Sequence, residues 1–173
     1  MGTEYRYQNI AYRDLTELPQ DLIERTAKYV EELDLTANRI SDLRFLIEYQ
    51  SLKSLVLDHN FVTSHVKIAD MPSLHTLWVN HNRIDNLSVF ISTLAKKCPN
   101  LKYLSMMNNK AAPSYFNNGT FQQYIDYRYF VISRLPKLEV LDDKKIDRTE
   151  RSEAERIYKP VRKRVKKKHI TGD

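Results

Sequence analysis

His59 and His81 stand 22 residues apart in matching contexts, Asp58-His59-Asn60 and Asn80-His81-Asn82. Two imidazoles beside the Asp58 carboxylate are residue types that hold a divalent metal. Such a site needs three or four converging ligands, and no third is placed near the pair, so two solvated turn histidines and no metal are expected. Cys98, the one cysteine, lies in AKKCPNL without a Cys-His pair of shared geometry. It is expected to pack as a small core hydrophobe rather than act as a nucleophile. The three glycines, Gly2, Gly119 and Gly172, build no phosphate-cradling loop. No enzymatic activity, cofactor or small-molecule substrate is therefore expected. Recognition remains. Trp78 is the one tryptophan, and large aromatics and methionines are enriched at the centres of protein interfaces. Trp78, Tyr103 and Met107 supply that chemistry.

The elements that position these residues follow from a repeat. Leu74, Leu77, Val79, Asn82 and Ile84 are matched upstream by Leu52, Leu55, Leu57, Asn60 and Val62, and before those by Val30, Leu33, Leu35, Asn38 and Ile40. Leu101, Leu104, Met106, Asn109 and Ala111 follow, and a truncated copy starts at Leu138 and Leu141. The steps from Leu33 to Leu55 and from Leu55 to Leu77 are 22 residues, and the step to Leu104 is 27. That is leucine-rich repeat spacing. Each Leu-x-Leu or Leu-x-Val alternates as a short strand does, one face in and one face out. Each Asn sits where the chain must turn, and a buried amide there can satisfy backbone donors and acceptors left unpaired by the bend. The fold class is α/β: a right-handed leucine-rich repeat solenoid with a parallel concave sheet and a cap at each end.

The outward positions of that sheet are free of core duty. Asp34, Val56 and Trp78 form one row; Asp58, Asn80 and Met107 lie toward the turn, followed by His59 and His81; Tyr103 belongs to the first strand position. These nine residues are the expected partner-binding surface. The competing reading of Trp78 is that it packs on Tyr103 and Val56 and only stiffens the sheet.

The 173 residues are expected to form one repeat domain over 1–158: an N-terminal cap at 1–28, repeats at 29–111 and a C-terminal cap at 112–158. In the first cap, Ile10 and Tyr12 are placed at strand positions, with Leu15 near the turn position and a short helix from Asp21 to Lys28. The aromatic segment 112–135 breaks the period, with Asn117-Asn118-Gly119 as a turn signal and a helix expected from Thr120 to Arg134. Covering the open end of the solenoid is its expected role. Asp147 and Glu150 have capping-box spacing, and Ala154, Ile157 and Tyr158 give the helix that follows an apolar side.

The net charge of +6 resides in one place. Residues 159–173 hold seven Lys or Arg and one Asp, among them Arg162, Lys163, Arg164, Lys166, Lys167 and Lys168, whereas residues 1–158 balance at zero. This basic tail is expected to be disordered when free. A nuclear signal, a nucleic-acid contact, an anionic-membrane contact and a solubilising terminus all fit its composition. No apolar run of membrane-spanning length, signal-peptide core or myristoylation pattern is present, and a single cysteine forms no intrachain disulfide. A cytoplasmic monomer is expected, with the nucleus as the alternative site. The sequons at Asn86 and Asn118 are then incidental.

The segment YRYFVISRLPKLEVLDDKKIDRTERSEAERIY resembles the C-terminal cap of repeat proteins typified by the spliceosomal A-prime protein, through Tyr127-Arg128, Leu135-Pro136, Leu141-Asp142 and Glu150-Arg151 with Ala154-Glu155. Residues 50–158, including SLKSLVLDHNFV and MPSLHTLWVNHNRIDNLSVFISTLAKKCPNLKYLSMMNNKAAP, more closely resemble the leucine-rich melanocyte differentiation-associated protein family. That resemblance implies a non-catalytic adaptor in pigment-cell differentiation and in Rab-dependent endosome and melanosome traffic, with a small GTPase or trafficking complex as partner. Vertebrate members continue into a longer C-terminal extension, and partners that read it are not carried over. The cap and the tail together imply an alternative, an RNA-associated splicing-type factor.

Overall fold

Strands of two or three residues cannot persist alone; they persist here because each is paired on its neighbour around a shared apolar core. The structure is a computed structural model that describes residues 6–158. Its sheet runs β1 (Tyr7–Asn9), β2 (Glu32–Asp34), β3 (Ser54–Val56), β4 (Thr76–Trp78), β5 (Tyr103–Ser105), β6 (Val140–Leu141) and β7 (Lys144–Lys145), in chain order. β1 to β6 are parallel, and Leu33, Leu55, Leu77, Leu104 and Leu141 stand in register. All five are at most 1% exposed. β7 turns back antiparallel on β6; the repeat pattern carries no trace of that hairpin.

The asparagines join the turns. Asn60 Oδ1 accepts from Ile40 N at 2.9 Å, and its Nδ2 donates to Leu35 O at 2.9 Å and Leu57 O at 3.2 Å. Asn38, Asn82 and Asn109 repeat the arrangement, each taking a backbone N–H from the preceding repeat. The residue before each Asn is left-handed: Ala37, His59, His81 and Asn108 have φ of 53–57°. That conformation disfavours side chains with a Cβ by about 1–2 kcal/mol, and the asparagine network holds it in place.

The first cap departs from its expected register. Gln8, not Ile10, pairs with Leu33. Ile10 is buried two positions on, and Tyr12 stands in the left-handed turn at φ 58°, 78% exposed. Without a leucine at position 8 or an asparagine at 13, the repeat spacing offers no anchor, and the register is set by pairing with β2. The helix there, α1, spans Gln20–Thr26.

On the return side, the three-residue step of Ile40, Leu43 and Leu46 produces a 3₁₀ segment, Arg44–Glu48. The same step at Ile84, Leu87 and Phe90 opens a longer element, α2 (Leu87–Lys97), capped by Asn86 accepting from Val89 N. The longer step to Leu104 supplies the residues for its added turns.

The C-terminal cap is α3 (Phe121–Arg134) packed on α4 (Arg148–Ile157). Thr120 and Gln123 form a reciprocal capping box on α3. At α4 the box is one-sided. Asp147 accepts from Glu150 N, but the Glu150 carboxylate turns to Arg128 instead of back to the cap. Ile157 is 47% exposed, so the expected apolar side of α4 reduces to Ala154 and the half-buried Tyr158, which meets Phe130 edge-to-face.

Candidate partner-binding surface

The outward row of the sheet crosses every repeat. Tyr7, Glu32, Ser54, Thr76, Tyr103 and Val140 line up by strand register, and so do Asn9, Asp34, Val56, Trp78 and Ser105. Trp78 is 46% exposed, Tyr103 41% and Met107 39%. They share the C-terminal half of the face, and Val56 and Asp34 continue the Trp78 row half-buried. Tyr7, 54% exposed, extends the first row and was not among the expected contacts. The two-residue error in the β1 register hid it.

Asn80 does not belong to the free surface. It is 7% exposed; its Oδ1 accepts from Ser105 Oγ at 2.7 Å and Met107 N at 2.8 Å, and its Nδ2 donates to Asp58 Oδ2 at 3.2 Å. Asp58 Oδ1 also accepts from Asn80 N. Asn80 is thus a bracket between β3 and β5, and Asp58 spends much of its acceptor capacity on it. Sequence position alone placed Asn80 outward. Its burial comes from the inserted Ser105 hydroxyl and the Met107 N–H reaching across from the next repeat.

His59 and His81 are exposed and stacked, ring centroids 4.1 Å apart and 10° from parallel. His81 Nε2 faces Asn108 Nδ2 at 3.0 Å. Histidine and asparagine are among the residues that enter the left-handed region most readily, which accounts for their use at these turn positions. Among the described residues no cluster of three or more His, Cys, Asp or Glu is arranged to hold a metal. Cys98 is fully buried, and burial, with the charge of Asp70, pushes its thiol up to about 12. It is not a thiolate at neutral pH. The tail residues Arg162, Lys163, Arg164, Lys166, Lys167 and Lys168 lie outside the described residues.

Asp142 closes the C-terminal end of the face. Its carboxylate accepts from Met106 N at 3.0 Å and from the Tyr127 hydroxyl at 3.1 Å. Burial raises its pKa above the ordinary carboxylate value, against those two hydrogen bonds. A raised acid binds its proton more tightly folded than unfolded, so its contribution is full below the unfolded pKa and is lost as pH climbs through the folded one. Asp142→Asn keeps an acceptor for Met106 N and does not titrate. The stability of the wild type relative to Asp142→Asn is therefore expected to fall as pH rises above the ordinary carboxylate pKa. Urea midpoints at a series of pH values check this, and a difference that rises with pH contradicts it.

The aromatics of the C-terminal insertion divide. Tyr127 is buried, and Tyr124 and Phe130 are half-buried against the core, as a cover requires. Tyr115, Phe116 and Phe121 cover nothing: they are 90%, 92% and 78% exposed. Their outward presentation was not expected. The turn signal at Asn117-Asn118-Gly119 locates the bend but not the direction in which the rings point.

A parallel sheet built on stacked Leu-x-Leu strands and an asparagine ladder defines a repeat protein with one open face. The chain belongs to the leucine-rich repeat family, whose model matches residues 21–171. It is 38% identical over 127 residues to leucine-rich melanocyte differentiation-associated protein of Homo sapiens, covering 70% of this chain and 64% of that protein. It is 32% identical over 146 residues to U2 small nuclear ribonucleoprotein A' of Arabidopsis thaliana, covering 82% of this chain and 54% of that protein. The chain thus spans less than two thirds of either relative. Among solved structures, a chain of the Drosophila melanogaster SNF/U2A' complex matches with a TM-score of 0.68 at 19% identity, over 88% of this chain and 81% of that chain. That likeness is one of fold.

Proposed function

We propose that this chain is a non-catalytic adaptor that seats a protein partner across the open face of its sheet, with Trp78 as the central anchor. The observation that carries this is the half-exposed indole of Trp78 beside the exposed Tyr103 and Met107 on the outward face of the sheet. An interface centre of this kind draws most of its binding energy from a few large aromatic side chains. Asp34, Val56, Asp58, His59 and His81 border the anchor, and Tyr7 and Glu32 extend the face toward the N-terminus. The partner in this reading is a small GTPase or a trafficking complex, and the cytoplasm is the place of action. In this reading residues 1–158 act as one domain and the monomer is the binding unit.

Trp78→Ala is expected to change stability by less than about 1 kcal/mol, since a half-exposed side chain away from the core contributes little. It is expected to lower partner capture from the protein's own cells by about tenfold or more, as loss of an aromatic hot spot does. Proximity labelling by the full chain and by Trp78→Ala, with urea unfolding of both, makes the comparison. Equal labelling would remove the anchor.

The second reading is a splicing-type factor that binds a protein on the same face and RNA through the basic tail. The relatives named U2 small nuclear ribonucleoprotein A' favour it, and it places the chain in the nucleus. It requires RNA binding that weakens steeply with salt and disappears when Arg162, Lys163, Arg164, Lys166, Lys167 and Lys168 are neutralised.

A further inference from the structure

The loop between β5 and α3 holds its exposed rings in a fixed frame. Ser114 N donates to Asn117 Oδ1 at 2.7 Å, Asn117 Nδ2 donates to Ala112 O at 2.9 Å, and Gly119 N donates to Ser114 O at 2.8 Å. Asn118 takes the left-handed turn at φ 63°. A Cβ on Gly119 would fall 2.8 Å from Ser114 N and 2.9 Å from Pro113 Cβ, so the loop closes this tightly only with glycine. The Thr120–Gln123 capping box then starts α3 directly. Exposed apolar surface of this size on an ordered loop marks a contact site.

The rings border a pocket of about 350 Å³ whose wall includes Tyr115, Phe116, Phe121 and Tyr124 together with Asp142 and Asp143. No lysine, arginine or histidine lines it. Asp142 is committed to Met106 N and Tyr127, and Asp143 beside it is exposed. Tyr115 and Phe116 meet edge-to-face, 6.2 Å apart at 82°, which leaves a separate ring face open on each. Negative ring faces beside a carboxylate attract a cation. A planar guanidinium stacks on a single face and still turns its N–H edge to a carboxylate, whereas an ammonium is a compact point charge. Rings this exposed do not enclose a cation from several sides, so the planar group fits better. The protein uses the same pairing on itself: the Arg83 guanidinium lies 3.7 Å from the Phe61 ring centroid.

Met107 and Asn108 belong both to this pocket and to the open sheet face. A partner lying over Trp78 and Met107 therefore passes the mouth of the pocket. We propose that the pocket between the Tyr115–Phe116 rings and Asp143 takes an arginine side chain of the protein partner, as a second anchor beside the sheet. This rests on the protein-binding reading of the sheet face, and its test does not require that partner.

The test is fluorescence anisotropy on the full chain with a labelled peptide carrying one arginine between leucines, and with its uncharged, isosteric citrulline twin. The arginine peptide is expected to bind with a Kd of about 1 mM or tighter. The citrulline peptide, Phe116→Ser and Asp143→Asn are each expected to weaken binding by roughly fivefold or more. Trp78→Ala is expected to leave it unchanged, which separates this pocket from the sheet anchor. Equal binding of the two peptides, or no binding at about 5 mM, overturns the proposal. So does loss of binding in Trp78→Ala, which would put the peptide on the sheet. Binding that emerges only in a full chain carrying Arg162→Gln and Arg164→Gln overturns the partner assignment, because the chain's own arginines would then fill the pocket.

Discussion

Glu150→Ala is expected to destabilise the protein by about 3–5 kcal/mol, because it leaves a buried guanidinium without its counter-ion. Arg128 is fully buried and Glu150 is 8% exposed. Their contact is bidentate, Nε to Oε1 at 2.5 Å and Nη2 to Oε2 at 3.0 Å, and Nη1 donates to Leu141 O at 3.0 Å. One side chain on α3 thereby ties α4 and β6 together, the whole C-terminal cover. In water both ions would be well solvated, so the pair stabilises the fold little relative to an apolar pair of the same shape; what is costly is losing one member. Arg128→Met with Glu150→Leu is accordingly expected to recover most of the loss of Glu150→Ala. For a chain of this size the single substitution should lower the melting temperature by roughly 10 °C. Thermal unfolding of wild type, single and double variants measures all three. A loss below about 1 kcal/mol in Glu150→Ala would mean that the guanidinium finds water or another acceptor when its partner is removed.

Asn60→Ala is expected to cost about 3 kcal/mol, from one orphaned buried donor and two lost hydrogen bonds. The donor is Ile40 N, for which Asn60 Oδ1 is the partner in the ladder. The carbonyls suffer less. Leu35 O also accepts from Asn38 Nδ2, and Leu57 O also accepts from Asn82 Nδ2. Each strand-end carbonyl is thus shared by the asparagines of two successive repeats, and removing one leaves the other in place. Asn60→Asp keeps the acceptor but directs a buried carboxylate at those same two carbonyl oxygens, so at neutral pH it should be worse than alanine. Lowering the pH protonates that carboxyl and should narrow the gap. Asn82 is half-buried where Asn60 is 3% exposed, and Asn82→Ala is expected to cost less. Urea unfolding of the three variants gives the order. Equal losses at 60 and 82 would show that solvent does not reach the Asn82 turn.

The apolar interior of each repeat was legible because it is a local code. Leu33, Leu55, Leu77 and Leu104 recur at strand spacing, and the chain need only stack on itself for each to be buried by the next. The asparagine turns were legible for the same reason, since each amide reaches the carbonyl three residues back in its own repeat, that of Leu35, Leu57, Val79 or Met106. The helix start at Asp147 was readable as a capping residue whose partner lies three positions on, and the start near Thr120 followed from the turn signal at Asn117-Asn118-Gly119. Trp78 was legible as an outward residue from alternation alone.

Alternation does not say what covers an outward residue. Asn80 and Trp78 lie two positions apart, both outward by pattern, yet Ser105 and Met107 from the next repeat bury the first and leave the second open. Glu150 has the spacing of a capping residue, and only the arrival of Arg128 from α3, 22 residues away, turns its carboxylate inward. The β1 register depended on pairing with β2 because Gln8 carries no leucine to announce it. The seven aromatics of the C-terminal insertion look alike in composition; which of them cap the core and which face solvent was decided by the loop closure at Gly119 and the docking of α3. The sequence by itself determined the repeat, its strands and its turns, because these are written in contacts within 20–29 residues. The tertiary structure decided which outward residues stay open and where the aromatic pocket lies, because exposure is a property of what neighbouring elements leave uncovered.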